Sequence, residues 1–146
     1  MNRLLPFSRL ARRWHERWRP AEHLRLGLRG EKLACDYLRR QGYKILYRNF
    51  RARRGGEIDI VCRDRDTLVF VEVKTRSAAD FARPLDAVNA AKRKLISRGA
   101  LAWLQLLDNP DILFRFDVVE IVLPVGDKVQ IEVVRDAFQL PAPYIY

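Results

Sequence analysis

The stretch G-G-E-I-D-I-V-C-R-D-R-D-T-L-V-F-V-E-V-K-T-R, residues 55–76, decides the fold. Ile58 and Ile60 alternate with the polar Glu57 and Asp59 and lead to Val61 and Cys62, and a nearly unbroken apolar, β-branched run follows at 68–73. The polar segment 63–67 separates the two runs, so the pattern predicts a β-hairpin. The second run is apolar on both faces, which indicates a strand in the middle of a sheet.

Four charged side chains interrupt this apolar hairpin. Side chains two residues apart share one face of a strand, so Glu57 and Asp59 are expected to project together. The same spacing places Glu72 beside Lys74 on the following strand. An unpaired ionised group is costly in a buried strand, so the four groups either neutralise one another or hold a divalent cation. A polar face that simply meets water is the remaining explanation.

The hairpin resembles the active-site pattern of the restriction-endonuclease-like nucleases, written PD-(D/E)xK, through Asp59 and Glu72-x-Lys74. More narrowly, the sequence resembles the YraN-like family of predicted endonucleases, which is related to the archaeal Holliday junction resolvases. As is usual for that family, Glu57-Ile58 stands where many relatives in the wider superfamily have a proline. The resemblance covers most of residues 24–138, through G-E-K-L-A at 30–34, Q-G-Y at 41–43, R-N-F-R at 48–51, G-E-I-D-I at 56–60, V-F-V-E-V-K-T-R at 69–76, A-V-N-A-A-K at 87–92 and R-F-D-V-V at 115–119.

The order of predicted elements, with three strands, a long helix and a further strand, indicates an α/β fold. The resemblance implies a restriction-endonuclease-like three-layer sandwich, with a central mixed β-sheet flanked by helices. It also implies an Mg²⁺- or Mn²⁺-dependent endonuclease that hydrolyses phosphodiester bonds in DNA, with branched or otherwise structured DNA as a candidate substrate. The related resolvases act as dimers, so a homodimer is compatible with the resemblance.

The roles implied by the resemblance fall on the charged hairpin residues. Asp59 and Glu72 would be direct metal ligands, with the carbonyl of Val73 as a third. Lys74 would orient the attacking water and steady the scissile phosphate. Glu57 would be an acid close to the metal, or instead a capping residue at the hairpin edge.

A second source of acid is the helix predicted over residues 26–41, which ends at Gly42. Glu31 lies on the face of this helix that Leu38 buries. In the resolvases a glutamate on the first helix reaches the metal site, which makes Glu31 a candidate fourth acidic group. The alternative is a helix acid that points sideways to water.

Basic residues surround the hairpin and are candidates for binding phosphate oxygens. They are Arg51, Arg53 and Arg54 in the loop before it, Arg76 at its end, and Lys92, which falls where relatives have a basic residue near the site. For any one arginine of the loop, a solvated side chain without a ligand is the alternative.

The composition indicates one domain with a polyanionic partner. The chain has 146 residues and a net charge of +10. Much of that excess lies in residues 1–30, which contain eight arginines and only two acidic residues, Glu16 and Glu22. We therefore expect a basic N-terminal extension at 1–23, a nuclease-like domain at 24–138 and a C-terminal tail at 139–146.

The extension contains a predicted amphipathic helix at 7–19, between Pro6 and Pro20, with Trp14 and Trp18 on its apolar face. It could contact DNA phosphates, dock on the domain, or touch a membrane surface. No apolar run has membrane-spanning length, so a soluble, cytoplasmic protein is expected. The functions other than a nuclease are a non-catalytic nucleic-acid-binding module and a membrane-peripheral adaptor.

The remaining elements complete the expected sheet. Strands are predicted at 43–50, 112–123 and 128–135, with a Gly126-Asp127 turn, and a helix at 84–107 with Pro84 in its first turn. The last ten residues are expected to form an irregular tail. Asp117 is assigned a structural role in an ion pair with Arg115 or a helix arginine, and Cys35 and Cys62 are expected to be buried free thiols.

Overall fold

The computed structural model describes residues 7–77, 88–123, 126 and 128–144, with side chains from residue 22 onward. Its elements are α1 (Phe7–Arg40), β1 (Lys44–Arg51), β2 (Glu57–Asp64), β3 (Thr67–Ser77), α2 (Ala90–Leu106), β4 (Leu113–Leu123) and β5 (Gln130–Phe138). No helix within these ranges combines the length and apolar character needed to cross a membrane.

One mixed sheet contains the strands in the order β1-β2-β3-β4-β5. β1, β2 and β3 pair antiparallel, β3 and β4 pair parallel, and β5 adds antiparallel to β4. A parallel pair needs a long crossover connection, and α2 lies within the connection between β3 and β4. The predicted α/β fold with a central mixed sheet is confirmed.

Strand β3 lies in the middle of the sheet and is buried on both faces. Val69 and Val71 pack in one apolar core with Leu38 of α1, whereas Phe70 packs in a second core with Ile96 of α2. The alternation of side chains along the strand separates the two cores. The helices therefore cover opposite faces, which is consistent with a three-layer sandwich and explains the nearly continuous apolar run at 68–73.

Helix α1 differs from the sequence prediction. Two helices were expected, at 7–19 and 26–41, but the backbone is helical from Phe7 to Arg40 without interruption at Pro20. Proline lacks one N–H donor, yet its fixed φ is compatible with a helix. The expected boundary between residues 23 and 24 lies inside this helix. Gly42 ends the helix with a positive φ of 89°, as predicted.

Two other element ends differ from the prediction. α2 begins at Ala90 because the Asn89 side chain accepts a hydrogen bond of 2.8 Å from the Lys92 N–H and caps the helix. The predicted start at Pro84 lies outside the described residues. At the other end of the chain, β5 continues to Phe138, whose ring stacks on Phe116 at 4.7 Å. The start of the expected tail is therefore a buried part of the sheet.

The assignment of Asp117 to a structural ion pair is confirmed. Its carboxylate is 1% exposed, accepts hydrogen bonds from the Arg115 guanidinium at 2.9–3.1 Å, and accepts another from the Asp136 N–H. Arg115 also donates to Asp64 and to the Tyr43 hydroxyl. Cys35 and Cys62 are buried free thiols, as expected.

The start of β2 lies directly against α2. Gly56 has a φ of 123°, and a Cβ placed on it would lie 2.5 Å from the Gly99 nitrogen of α2. The substitution Gly56→Ala therefore adds a contact with helix backbone to a strained backbone conformation. This close approach holds Glu57, the next residue, under the helix.

We expect Gly56→Ala to lower the free energy of unfolding by about 3 kcal/mol or more, because overpacking against α2 adds to the strain of a non-glycine residue at positive φ. Gly42→Ala is the matched control, because Gly42 also has a positive φ but has open space around its Cβ position. The control is expected to lose only about 1–2 kcal/mol. Urea denaturation of both variants measures the difference, and equal losses would contradict the close approach of β2 and α2.

Candidate functional site

Carboxylates from three separate elements meet at the end of the β2–β3 hairpin. They belong to Glu31 of α1, Asp59 of β2 and Glu72 of β3, and we call them the acid cluster. The charge of Asp59 raises the pKa of both glutamates, after burial, which is the largest cause for each. The elements thus bring together three of the acids that the sequence singled out.

Asp59 is fixed by the backbone of the neighbouring strand. Its Oδ2 accepts a hydrogen bond of 2.8 Å from the Val73 N–H. The backbone pairing between β2 and β3 ends at Ile60–Val71. The Asp59 carboxylate therefore binds the Val73 amide just beyond the last paired residues. This bond places Asp59 next to Glu72, the residue that precedes Val73.

Glu72 is the most strongly perturbed acid of the cluster. The residue is 8% exposed, and its Oε2 is buried with no hydrogen-bond partner among the described residues. Burial, and then the adjacent charge of Asp59, raise the pKa of Glu72 to about 8. A carboxylate in this position is favoured as its neutral form, or in contact with added positive charge.

Lys92 of α2 supplies a positive charge inside the site. Its Nζ donates a 2.5 Å hydrogen bond to Glu57 and lies 3.5 Å from Glu72 Oε1. Burial lowers the pKa of Lys92, but the bond to Glu57 and the charge of Glu72 outweigh it, so the pKa is raised. The same bond lowers the pKa of Glu57. Glu57 and Glu72 are therefore joined through one ammonium.

Glu31 approaches the cluster from the opposite face of the sheet. Its Oε2 is also buried and lacks a hydrogen-bond partner in the described part of the chain. Burial raises the pKa of Glu31, a hydrogen bond with the Asn49 side chain lowers it, and the charge of Asp59 raises it. The net shift is upward. The prediction that Glu31 faces the hairpin acids, and not water, is consistent with this position.

Lys74 lies on the same face of β3 as Glu72, as its spacing predicted, and in register with Glu120 of β4. Burial is the largest cause of the raised pKa of Glu120, and the charges of Arg76 and then of Lys74 act against it. Arg76 lies 3.9 Å from the same carboxylate. The roles of Lys74 and Arg76 toward substrate stay predictions.

Glu120 was not singled out from the sequence. It lies in an apolar stretch of β4, and only the parallel register with β3 brings it beside the E-x-K motif. Lys92 was proposed as a phosphate-binding residue, and its contact with two carboxylates was likewise not foreseen. Both contacts depend on the tertiary arrangement.

Arg51 connects the basic loop with the acids. It pairs with Glu57 across β1 and β2. After the larger effect of Lys92, its charge helps to lower the pKa of Glu57, and it opposes the burial that leaves the pKa of Glu31 raised. Arg53 and Arg54 follow in the same loop and are exposed. The position of Arg51 brings the loop next to Glu57. Phosphate binding by Arg51, Arg53 and Arg54 stays a prediction.

The acid cluster contains the oxygen ligands that a divalent cation would need. Glu31 and Glu72 each have a buried oxygen that lacks a hydrogen-bond partner in the described part of the chain. Together with the adjacent carboxylate of Asp59, these oxygens are hard ligands of the kind that Mg²⁺ and Mn²⁺ prefer. Across 7–77, 88–123 and 128–144, no three His, Cys, Asp or Glu side chains form a ready-made metal cage. Mg²⁺ does not need one, since it commonly binds one or two carboxylates and keeps several waters.

Sequence comparisons identify the family. The model of the uncharacterised protein family UPF0102 matches residues 30–121. The chain belongs to the UPF0102 family. The resemblance to the YraN-like group is thereby confirmed, and the matched region contains all the acids described above, together with Lys92.

UPF0102 proteins from several bacteria align with most of the chain. The relative from Geobacter sulfurreducens is 51% identical over 115 residues, which cover 79% of this chain and 89% of the relative. A Geobacter metallireducens relative is also 51% identical, over 79% of this chain and 93% of its own length. The Rhodococcus opacus relative is 44% identical over 118 residues, 99% of its length.

The electrostatics of this UPF0102 protein predict a pH-dependent difference between two glutamine variants. The folded-state pKa of Glu72 lies above its ordinary value of 4.5, so its contribution to stability is lost as the pH rises toward about 8. Glu72→Gln cannot ionise and should become more stable than wild type by about 2–4 kcal/mol over that range in metal-free buffer.

Glu57→Gln serves as the control of opposite sign. The hydrogen bond from Lys92 lowers the pKa of Glu57, so the charged carboxylate stabilises the folded state above its ordinary pKa. Glu57→Gln should therefore be less stable than wild type at neutral pH. Denaturant titrations across the pH series measure both variants, and a Glu72→Gln difference that does not change with pH would contradict the burial of that charge.

Proposed function

We propose that this protein is a divalent-cation-dependent endonuclease that hydrolyses phosphodiester bonds in DNA. The observation that carries the proposal is the adjacency of Asp59 and Glu72 at one end of a mixed sheet, with a buried Glu72 oxygen that has no hydrogen-bond partner among the residues that the structure describes. Two adjacent carboxyl groups in such a place cannot both be charged at low cost, so they favour either a proton on Glu72 or added positive charge. The resemblance to PD-(D/E)xK nucleases implies that these same two residues are metal ligands.

Asp59 and Glu72 would hold Mg²⁺ or Mn²⁺, with the Val73 carbonyl as a further oxygen ligand and Glu31 binding through water. When bound, the cation would neutralise charge on the phosphate and favour ionisation of a nucleophilic water. The Val73 N–H fixes Asp59, and this preorganisation reduces the cost of assembling the ligands.

The cationic side chains have separable roles in this proposal. Lys92 holds Glu57 and Glu72 together and offsets part of the charge of the cluster. Lys74, two residues from Glu72 on the same face, orients the attacking water and steadies the scissile phosphate. Arg51 adds positive charge where the DNA backbone approaches the acids.

A non-catalytic nucleic-acid-binding module is the second candidate. The observation that favours it is the Lys92 ammonium, which contacts Glu57 and Glu72 and neutralises charge without a cation. In that case the acids would serve stability, and the net charge of +10 would serve binding alone.

Cleavage assays separate the two candidates. We expect the full chain to cut at least one of linear, nicked, flapped or four-way DNA in the presence of Mg²⁺ or Mn²⁺. Asp59→Asn and Glu72→Gln should each lose about 100-fold or more of the rate, the scale of removing one group that stabilises the transition state. Glu132→Gln, on the exposed edge strand β5, is the matched glutamate control and should cut like wild type.

Salt-sensitive DNA binding without cutting by any of these proteins would favour the binding module. Equal rates in the wild type and in both acid variants would assign the cutting to a contaminating nuclease. Loss of cutting in the Glu132→Gln control as well would contradict the assignment of the two acids.

Metal binding has a readout that does not require activity. A cation that binds only the folded state raises the melting temperature, by several degrees for a chain of this size when the free metal exceeds Kd about 100-fold. We expect Mn²⁺ to raise the Tm of the wild type but not of Asp59→Asn or Glu72→Gln. Thermal scans with Mn²⁺ and with EDTA measure this, and an equal rise in all three proteins would contradict the ligand assignment.

A further inference from the structure

A groove separates the β1–β2 loop from the second half of α2. Its volume is about 810 Å³, within the range of small-molecule sites. The cationic residues that line it are Arg51, Arg53, Arg54 and Arg98, and none of its described lining residues is acidic. A polyanion therefore fits the charge of its rim.

The rest of the lining is largely apolar. Phe50 comes from β1, and Leu101, Ala102 and Leu106 come from α2, with the amide of Gln105 beside them. Leu106 is 70% exposed, an unusual position for a large apolar side chain unless something covers it. Phosphate alone would use the arginines and leave these surfaces in contact with water.

An aromatic cluster holds Phe50 in position. Its ring meets the Trp103 ring edge-on, with centroids 5.2 Å apart, and the Tyr47 ring in the same way at 6.0 Å. Tyr47 also contacts Trp103 at 5.5 Å. The aromatic side of the groove is thus preorganised and loses little side-chain entropy on binding.

We propose that this groove binds an unpaired strand of DNA, with its phosphates on the arginine rim and its bases against the apolar lining. In a duplex the faces of the bases are stacked inside, so a duplex offers phosphates but no base face to Phe50, Leu101 or Leu106. Unpaired strands offer both, and single-strand-binding proteins combine a basic groove with apolar and aromatic base contacts in this way.

Arg51 joins the groove to the charged hairpin, because it lines the groove and pairs with Glu57 across β1 and β2. A strand lying in the groove would therefore continue toward Asp59 and Glu72. This part of the inference rests on the proposed function. It makes DNA with an unpaired segment, such as a flap, the preferred substrate class.

The test measures binding in EDTA, so that cleavage plays no part. Fluorescence anisotropy with a labelled oligothymidylate and with a duplex of equal length compares the wild type with Leu106→Glu. We expect the substitution to weaken single-strand binding by about tenfold and duplex binding by less than about twofold. Leu113→Glu is the matched control, since Leu113 is 71% exposed on β4 and does not line the groove.

A second pair of variants tests the rim. Arg53→Ala/Arg54→Ala should weaken oligothymidylate binding by about tenfold at fixed salt, and reduce its salt dependence. Lys44→Ala/Arg63→Ala removes the same charge from the other end of the β1–β2 pair and should have a smaller effect. Far-UV circular dichroism checks that all variants are folded.

Unchanged single-strand binding in Leu106→Glu would overturn the inference, and so would equal weakening of duplex binding or equal effects of the two charge pairs. Cleavage assays keep the two proposals distinguishable. If Leu106→Glu weakens single-strand binding but the wild type does not cut DNA, the nuclease proposal is contradicted and the groove proposal stands. If flapped DNA is cut equally well by the wild type and by Leu106→Glu, the groove proposal is contradicted and the nuclease proposal stands.

Discussion

The hydrogen bond from the Val73 N–H to Asp59 is the contact on which the rest of the site depends. In this bond a backbone amide of the central strand β3 fixes the Asp59 carboxylate, just beyond the point where the pairing of β2 with β3 ends. The consequence is that Asp59 lies beside Glu72 and cannot turn away without giving up its hydrogen bond with the Val73 amide. Once this pair is set, the surrounding elements must provide positive charge, protons or solvent to offset it.

The offset provided by the protein is partial. Lys92 reaches Glu57 and Glu72 because α2 packs against the start of β2, where Gly56 and Gly99 allow the two backbones to meet. Its single charge is shared between two carboxylates, whereas buried oxygens of Glu31 and Glu72 have no partner within the described ranges. Elsewhere the same sheet handles a buried acid differently. Asp117 is fully hydrogen-bonded by Arg115 and the Asp136 amide, which is the pattern of a structural ion pair.

The sequence was informative where a local period determines the structure. The hairpin, the middle position of β3 and the shared face of Glu72 and Lys74 follow from alternation within one strand, and family likeness supplied the approach of Glu31. Contacts that arise from docking were not accessible in this way. Lys92 meets its carboxylates only after α2 crosses over the sheet, and the continuity of α1 through Pro20 overrides a local rule that favours a break. The helix start at Asn89 had a readable signal, since asparagine is among the best N-cap residues.

The parallel pairing of β3 with β4 also affects the order in which the chain can fold. Strands β1 to β3 are adjacent in sequence and can associate as soon as they leave the ribosome, because their loops are short. The pairs of β3 and β4, from Thr67–Leu113 to Ser77–Leu123, form only after the whole connection between the two strands has been made. Closing so long a connection is entropically costly. Lys92 is carried by that same segment. Until that segment packs on the sheet, the hairpin holds its carboxylates without the ammonium of Lys92, so their charge compensation depends on the long crossover connection.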